Sequence, residues 1–265
     1  YDDLNFHTIK GWQSDLELME LTVPLYISED KFFTLYVTSS MHFPYDESST
    51  LGDRYLNEID AVHPDYKLNI KRYISKAMEL DKAMAYLLKV LEENGKLEDT
   101  AIVFFADHHP LNTPLNDIAM YTYEVDRTVG LNEDRTPFVI YCPSALGTKK
   151  LDEVNSTFDI LPTVCNLYNL DYDPRLYLGT DYFGKKEKIV YFTNGDWISQ
   201  KGIYYNSRSQ FVPFDENLEP DEEYVGSIDR EVTNCFNVSS LIFRTDYFAK
   251  RPDLPYPKSK KEIEK

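Results

Sequence analysis

The chain has 265 residues, 42% hydrophobic and 14% aromatic, which is long enough to bury a substantial core and too apolar for general disorder. Its 45 acidic and 28 basic residues give a formal charge of −17. That balance argues against a general nucleic-acid binder, since no excess of Lys and Arg is present to neutralise phosphates. An anionic substrate would need local positive charge, most simply a metal ion.

The three cysteines, Cys142, Cys165 and Cys235, are far apart and form no Cys-x-x-Cys spacing. They build neither a zinc site nor a disulfide framework, and Cys142 and Cys165 are expected as buried free thiols. No stretch approaches about 18 continuous apolar residues, the length that reads as a membrane span. The start, Tyr1-Asp2-Asp3-Leu4, carries no initiator Met and reads as a cut end, so the chain is expected to be a soluble piece of a longer protein.

In chain order, Asp15 to Leu25 has the apolar positions of a short helix that Pro24 bends or ends. Lys31 to Ser40 reads as a first strand, ending in the polar cluster Ser39-Ser40-Met41-His42-Phe43-Pro44-Tyr45. Residues 46–62 read as a polar loop. Pro64 to Asn94 is the clearest helix, with a broad apolar stripe running from Leu68 to Leu91 and Gly95 as its stop signal. Ala101 to Phe105 is an uncharged apolar run that suits a central strand, and it breaks into Asp107-His108-His109-Pro110.

Residues 111–135 form a long Tyr-rich segment without a firm period. Thr136 to Cys142 reads as a third buried strand, and Ser156 to Leu167 as a helix that Ser156 or Thr157 could cap. After residue 188 short strands follow one another without helices between them (189–193, 202–205 and 210–214), the pattern of a small antiparallel sheet. Asp229 to Lys250 reads as a closing helix and Pro252 to Lys265 as a frayed tail.

The expected fold class is therefore α/β. A mainly parallel sheet would contain strands 32–39, 100–106 and 136–142, with helix 64–94 as the crossover between the first two. The expected domains are an α/β core over 1–187, the small antiparallel sheet with its closing helix over 188–250, and the tail 251–265. Two strands that each deliver histidine at the carboxyl end point to a site there, because open α/β sheets bind ligands beyond those ends. Asp107 and His108 offer a hard oxygen and a borderline nitrogen, a suitable pair for Mn²⁺ or Zn²⁺.

Five segments resemble a known family. Phe33 to Tyr45, with its Thr38-Ser39-Ser40-Met41-His42-Phe43-Pro44-Tyr45 end, resembles the corresponding segment of bacterial lipoteichoic acid synthases and related phosphoglycerol transferases. Asp99 to His108, Arg135 to Pro143, Thr157-Phe158-Asp159-Ile160-Leu161-Pro162-Thr163 and Leu178-Gly179-Thr180-Asp181-Tyr182-Phe183 are similar, in order, to segments of the sulfatase/alkaline-phosphatase superfamily. The entry region, Gly11-Trp12-Gln13-Ser14-Asp15 followed by Leu21 to Leu25, also resembles the synthases.

The resemblance implies a metal-dependent transferase in which a Thr or Ser nucleophile, lying upstream of Tyr1, attacks phosphorus and passes glycerol phosphate from a phospholipid to an acceptor. It implies Asp107 and His108 as metal ligands and His42 as the substrate-binding histidine, with Mn²⁺ as the metal and Zn²⁺ or Mg²⁺ as alternatives. His109 departs from the family pattern. The resemblance further implies work at the extracytoplasmic face of a bacterial cell membrane, reached through an N-terminal region outside this chain, and no activity for this fragment alone. A sulfatase or phosphodiesterase of the same superfamily, or an inactive half-domain that only binds, are the alternatives.

Overall fold

The computed structural model describes residues 4–7, 13–108, 135–145, 147–148, 150–218 and 221–251. His109, Gly11 and Trp12, almost all of the 111–135 segment and the tail after Arg251 lie outside the described residues. The chain divides into two compact units, Tyr1–Gly147 and Thr148–Lys265. The change of composition at residue 188 coincides with the start of an antiparallel sheet inside the second unit.

The first unit is built on helices. α1 (Asp15–Thr22) is capped by Ser14, whose hydroxyl accepts the Glu17 N–H at 3.1 Å, and a single 3₁₀ turn over Val23–Leu25 ends it at Pro24. Two short helices, α2 (Thr50–Asp53) and α3 (Leu56–Val62), occupy the stretch expected as a loop. Their buried residues Leu51, Tyr55 and Ile59 recur every four positions, a helical spacing carried by an otherwise polar sequence. α4 (Leu68–Glu93) is the long helix. It stops where Gly95, at φ 65°, lets the Lys96 N–H return to the Leu91 carbonyl at 2.9 Å.

Met19 and Val23 pack against Ala83, Leu87 and Leu91 of α4, and Phe32, Tyr36 and Ile102 pack against that cluster. A second set of contacts on α4 is polar. Ser75, Lys76 and Glu79 are fully buried on one stretch of the helix. The Glu79 carboxylate accepts from the Ser14 hydroxyl, from Arg54 at 2.6 Å and from the Tyr55 hydroxyl at 2.6 Å. Ser75 donates to the Leu51 carbonyl at 2.7 Å and accepts from the Tyr55 N–H at 3.2 Å. The N-terminus of α1 and the α2–α3 corner are thus both fastened to one stretch of α4.

The sheet of the first unit differs from expectation. β1 (Ile102–Phe105) and β2 (Phe138–Tyr141) pair antiparallel, Ile102 facing Tyr141 and Phe105 facing Phe138. Along β2, exposed and half-buried residues alternate, with Val139 and Tyr141 outward, which is the burial of a strand covered on one face. The uncharged runs that suggested doubly covered parallel strands therefore belong to an antiparallel pair. Lys31–Ser40 joins no ladder among the described residues, so the predicted β-α-β crossover is absent there. Phe33, Leu35 and Val37, at 89%, 68% and 71% exposure, alternate with half-buried Phe32 and Tyr36. The segment has the period of a strand but joins no ladder among the described residues.

The second unit begins with a turn of 3₁₀ helix at Thr157–Asp159 running into α5 (Ile160–Leu167). Ser156 and Asp159 form a reciprocal capping box. The other Asp159 oxygen accepts the Thr180 N–H at 2.7 Å, and the Thr163 hydroxyl accepts the Tyr182 N–H at 2.9 Å. At Gly179 any Cβ would lie 2.0 Å from the Phe158 carbonyl oxygen, so only glycine permits this approach.

Four strands follow, β3 (Val190–Tyr191), β4 (Trp197–Ile198), β5 (Gly202–Tyr205) and β6 (Gln210–Pro213), in an antiparallel meander of that order. This is the small antiparallel sheet expected from the sequence, with β4 added to it. Trp197, fully buried, stacks on Tyr204 at 5.3 Å between centroids and packs with Phe211 and Tyr224. α6 (Glu222–Thr245), longer at its start than the expected closing helix, presses Ile228 and Val232 into the same core. Cys142 follows β2, Cys165 lies on α5, and both are buried free thiols as expected; Cys235 is also free.

The Glu79 network sets a pH dependence. Burial opposes ionisation of Glu79, but hydrogen bonds from Ser14, Tyr55 and Arg54 outweigh it and hold the carboxyl below its ordinary 4.5. A carboxylate whose folded value is lowered contributes stability above the unfolded value and loses it as pH falls through the folded one. Asp15 runs the other way, since burial raises its carboxyl above 3.8 despite bonds from Ser39 and Ser40. Glu79→Gln is expected to cost about 1–3 kcal/mol at pH 7, the range for an impaired buried hydrogen-bond set. In urea unfolding the gap between Glu79→Gln and the parent should shrink from pH 7 to below 4.5. A gap independent of pH would contradict this account.

Candidate functional site

His42 sits in a tight loop after the Lys31–Ser40 segment. The loop is anchored at its start by Asp15, whose two carboxylate oxygens accept the N–H groups of Ser39 at 2.8 Å and Ser40 at 2.9 Å. The Ser40 hydroxyl accepts the Asp15 N–H in return at 2.8 Å. One turn on, the Phe43–Pro44 peptide is cis, and the Tyr45 hydroxyl donates to the Met41 carbonyl at 3.0 Å. Burial pushes the Tyr45 phenol up to about 12, so it stays a donor across the physiological range.

Lys76 holds the loop from below. Its ammonium donates to the carbonyls of His42 at 2.6 Å and Pro44 at 2.9 Å and stands 5.5 Å from the centre of the Tyr45 ring. Burial lowers its pKa from 10.5, against the raising influence of Asp46. The imidazole of His42 is exposed, with Nδ1 at 2.6 Å from the Phe43 carbonyl oxygen. A carbonyl can only accept, so Nδ1 carries the proton and donates it.

Asp107 and His108 follow β1. His108 Nε2 lies 3.7 Å from Asp107 Oδ1, with side chains 47% and 86% exposed respectively. This brings the two predicted metal ligands together with an oxygen and a nitrogen facing each other. Among the described residues no group of three His, Cys, Asp or Glu side chains converges as a metal site. The donors fit part of a site for Mn²⁺ or Zn²⁺, whose remaining positions other groups or water must fill.

A cavity of about 740 Å³ lies in the second unit beside α6, lined in part by Arg175, Tyr177, Arg230, Val238, Ile242 and Phe248. It contains none of the predicted site residues. Sequence reasoning did not find Lys76 and Glu79. The signal was present, since both fall on the helix face that carries Leu80, Ala83 and Leu87.

The description "Sulfatase" matches residues 4–170, more than half of the chain. The chain belongs to the sulfatase family. Among curated relatives it is 25% identical over 225 residues to lipoteichoic acid synthase 2 of Bacillus subtilis (strain 168), covering 79% of this chain and 33% of that protein. It is 26% identical over 182 residues to lipoteichoic acid synthase of Staphylococcus aureus (strain USA300), covering 67% and 27%. The chain thus spans about a third of the length of the curated relatives it matches. The crystal structure of lipoteichoic acid synthase LtaP from Listeria monocytogenes superposes with a TM-score of 0.70 at 20% identity, over 94% of this chain and 62% of that one. This likeness establishes a sulfatase-like fold. Among the described residues no helix is long and apolar enough to cross a membrane.

With two side-chain donors, Mn²⁺ should bind this chain on the order of millimolar or weaker, since most of the coordination shell remains water. Electron paramagnetic resonance of a Mn²⁺ titration measures this directly. Tight binding that survives Asp107→Ala would contradict the assignment.

Proposed function

We propose that the complete protein is a metal-dependent phosphoglycerol transferase of the lipoteichoic-acid-synthase type, working at the extracytoplasmic face of a bacterial membrane. Supporting this reading, a sulfatase-family chain similar to lipoteichoic acid synthases carries both the His42-Phe43-Pro44-Tyr45 loop and, after β1, Asp107 and His108 with side chains 3.7 Å apart. The substrate is a phospholipid, phosphatidylglycerol in the first instance. The nucleophile is a Thr or Ser outside these 265 residues, and this chain alone is expected to release no glycerol phosphate.

Asp107 and His108 would hold the metal, Mn²⁺ by preference, which when bound neutralises non-bridging phosphoryl oxygens and eases deprotonation of the nucleophile. His42 faces the substrate with Nε2. Because Nδ1 already donates to the Phe43 carbonyl, hydrogen bonding to a phosphoryl oxygen or giving a proton to the departing alcohol requires a second proton, on Nε2, and the Phe43 carbonyl holds the ring in orientation for either. The exposed row of Phe33, Leu35 and Val37 suits cover by a further strand of the complete protein.

The test is product analysis with the complete protein on phosphatidylglycerol, a sulfate ester and a phosphodiester at equal Mn²⁺. Glycerol-phosphate transfer with release of diacylglycerol is expected, and His42→Ala and Asp107→Ala should each lower its rate on the order of 10² or more. Turnover of the sulfate ester or simple phosphodiester alone would favour a hydrolase of the family. Turnover by the isolated chain at a tenth of the full rate would place the nucleophile within it.

A further inference from the structure

We propose that Lys76 is a positioning residue that sets the orientation of His42. The ammonium is fully buried, and it meets two main-chain carbonyls, those of His42 and Pro44, and the face of Tyr45. A buried ammonium is costly unless acceptors surround it, so the loop carbonyls must turn inward to meet it. Turning the His42 and Pro44 carbonyls towards α4 fixes the His42–Phe43 and Pro44–Tyr45 peptide planes, which flank the Phe43–Pro44 peptide. The Phe43 carbonyl between them then meets His42 Nδ1. The ring is therefore oriented by a chain of contacts that begins at the helix.

Lys76 in turn is held by its place on α4, one residue after Ser75 and three before Glu79, both fastened to other segments. The cluster is insulated from solvent, and no atom of Lys76 is exposed to meet a substrate. It acts through His42, and this inference rests on the reading of His42 as the substrate-facing histidine.

A second lysine of α4 supplies the control. Lys71 is also buried, and its ammonium reaches the Asp60 carboxylate and the Pro64 carbonyl, away from His42. Lys76→Met and Lys71→Met each remove a buried lysine head while keeping most of the stem. Both should lower the melting temperature. If Lys76 positions His42, only Lys76→Met changes the imidazole.

The experiment has two readouts. In the 265-residue chain with ¹⁵N-labelled histidine, two-dimensional NMR should show His42 with its proton on Nδ1. Lys76→Met should lose that single tautomer, while Lys71→Met keeps it. In the complete protein acting on phosphatidylglycerol, Lys76→Met should lower kcat about 10- to 100-fold, the range for a misaligned reacting group, with KM changed little. Lys71→Met should stay within about twofold of the parent in kcat. If Lys76→Met does not fold, Lys76→Gln, whose amide keeps two N–H donors, is read the same way with a smaller effect.

A Lys76→Met protein that keeps the Nδ1 tautomer and the parent kcat overturns the proposal, whatever His42→Ala does. Equal losses in Lys76→Met and Lys71→Met also overturn it, since they report general destabilisation. If His42→Ala keeps full activity while Lys76→Met alone disturbs the His42 ring, the positioning stands and the assigned role of His42 falls.

Discussion

The first unit depends on a buried charge pattern on one stretch of α4. Lys76 and Glu79 are both removed from water, and neither is the other's partner. Each charge must be answered by a separate segment, because an isolated buried ion would cost several kcal/mol. Glu79 draws in the α1 cap and the α2–α3 corner; Lys76 draws in the His42 loop. Apolar packing by Met19, Val23, Leu87 and Leu91 supplies cohesion along the other end of the same helix. The polar end supplies direction, since a hydrogen bond to a carbonyl fixes a peptide plane where a methyl contact does not.

The family segments divide into chemistry and architecture. Asp159, Thr163 and Gly179 belong to segments that resemble those of the superfamily, and all three work on the backbone. Asp159 and Thr163 satisfy N–H groups of the Thr180–Tyr182 turn, and Gly179 makes room for the Phe158 carbonyl. None of them is needed at a phosphoryl group to account for its presence. Asp107, His108 and His42 are different. Their side chains are exposed, which is where a reacting group of the proposed site must be.

Much of this was legible in the sequence. α4 declared itself by its stripe and by Gly95, and the second sheet by short strands without helices; the proposed site rests on Asp-His and His-Phe-Pro in the sequence. The sheet of the first unit was not legible in direction, because an apolar run specifies burial and not the sense of its neighbour. Lys31–Ser40 has a strand's composition, yet a strand is defined by its partner, and the described residues provide none. The α2–α3 corner escaped because its three buried residues are diluted by Asp, Asn and Glu. The Lys76 and Glu79 roles escaped because charges on a helix ordinarily mark its wet face.

The account turns on His42, Asp107 and His108 serving one phosphoryl group. A crystal structure of the complete protein with Mn²⁺ and glycerol phosphate tests this most directly. The account predicts one Mn²⁺ ligated by Asp107 and His108, with a phosphate oxygen on the ion and His42 Nε2 within hydrogen-bond distance of the same phosphate. A phosphate bound away from His42, or a Mn²⁺ held entirely by other side chains, would contradict it.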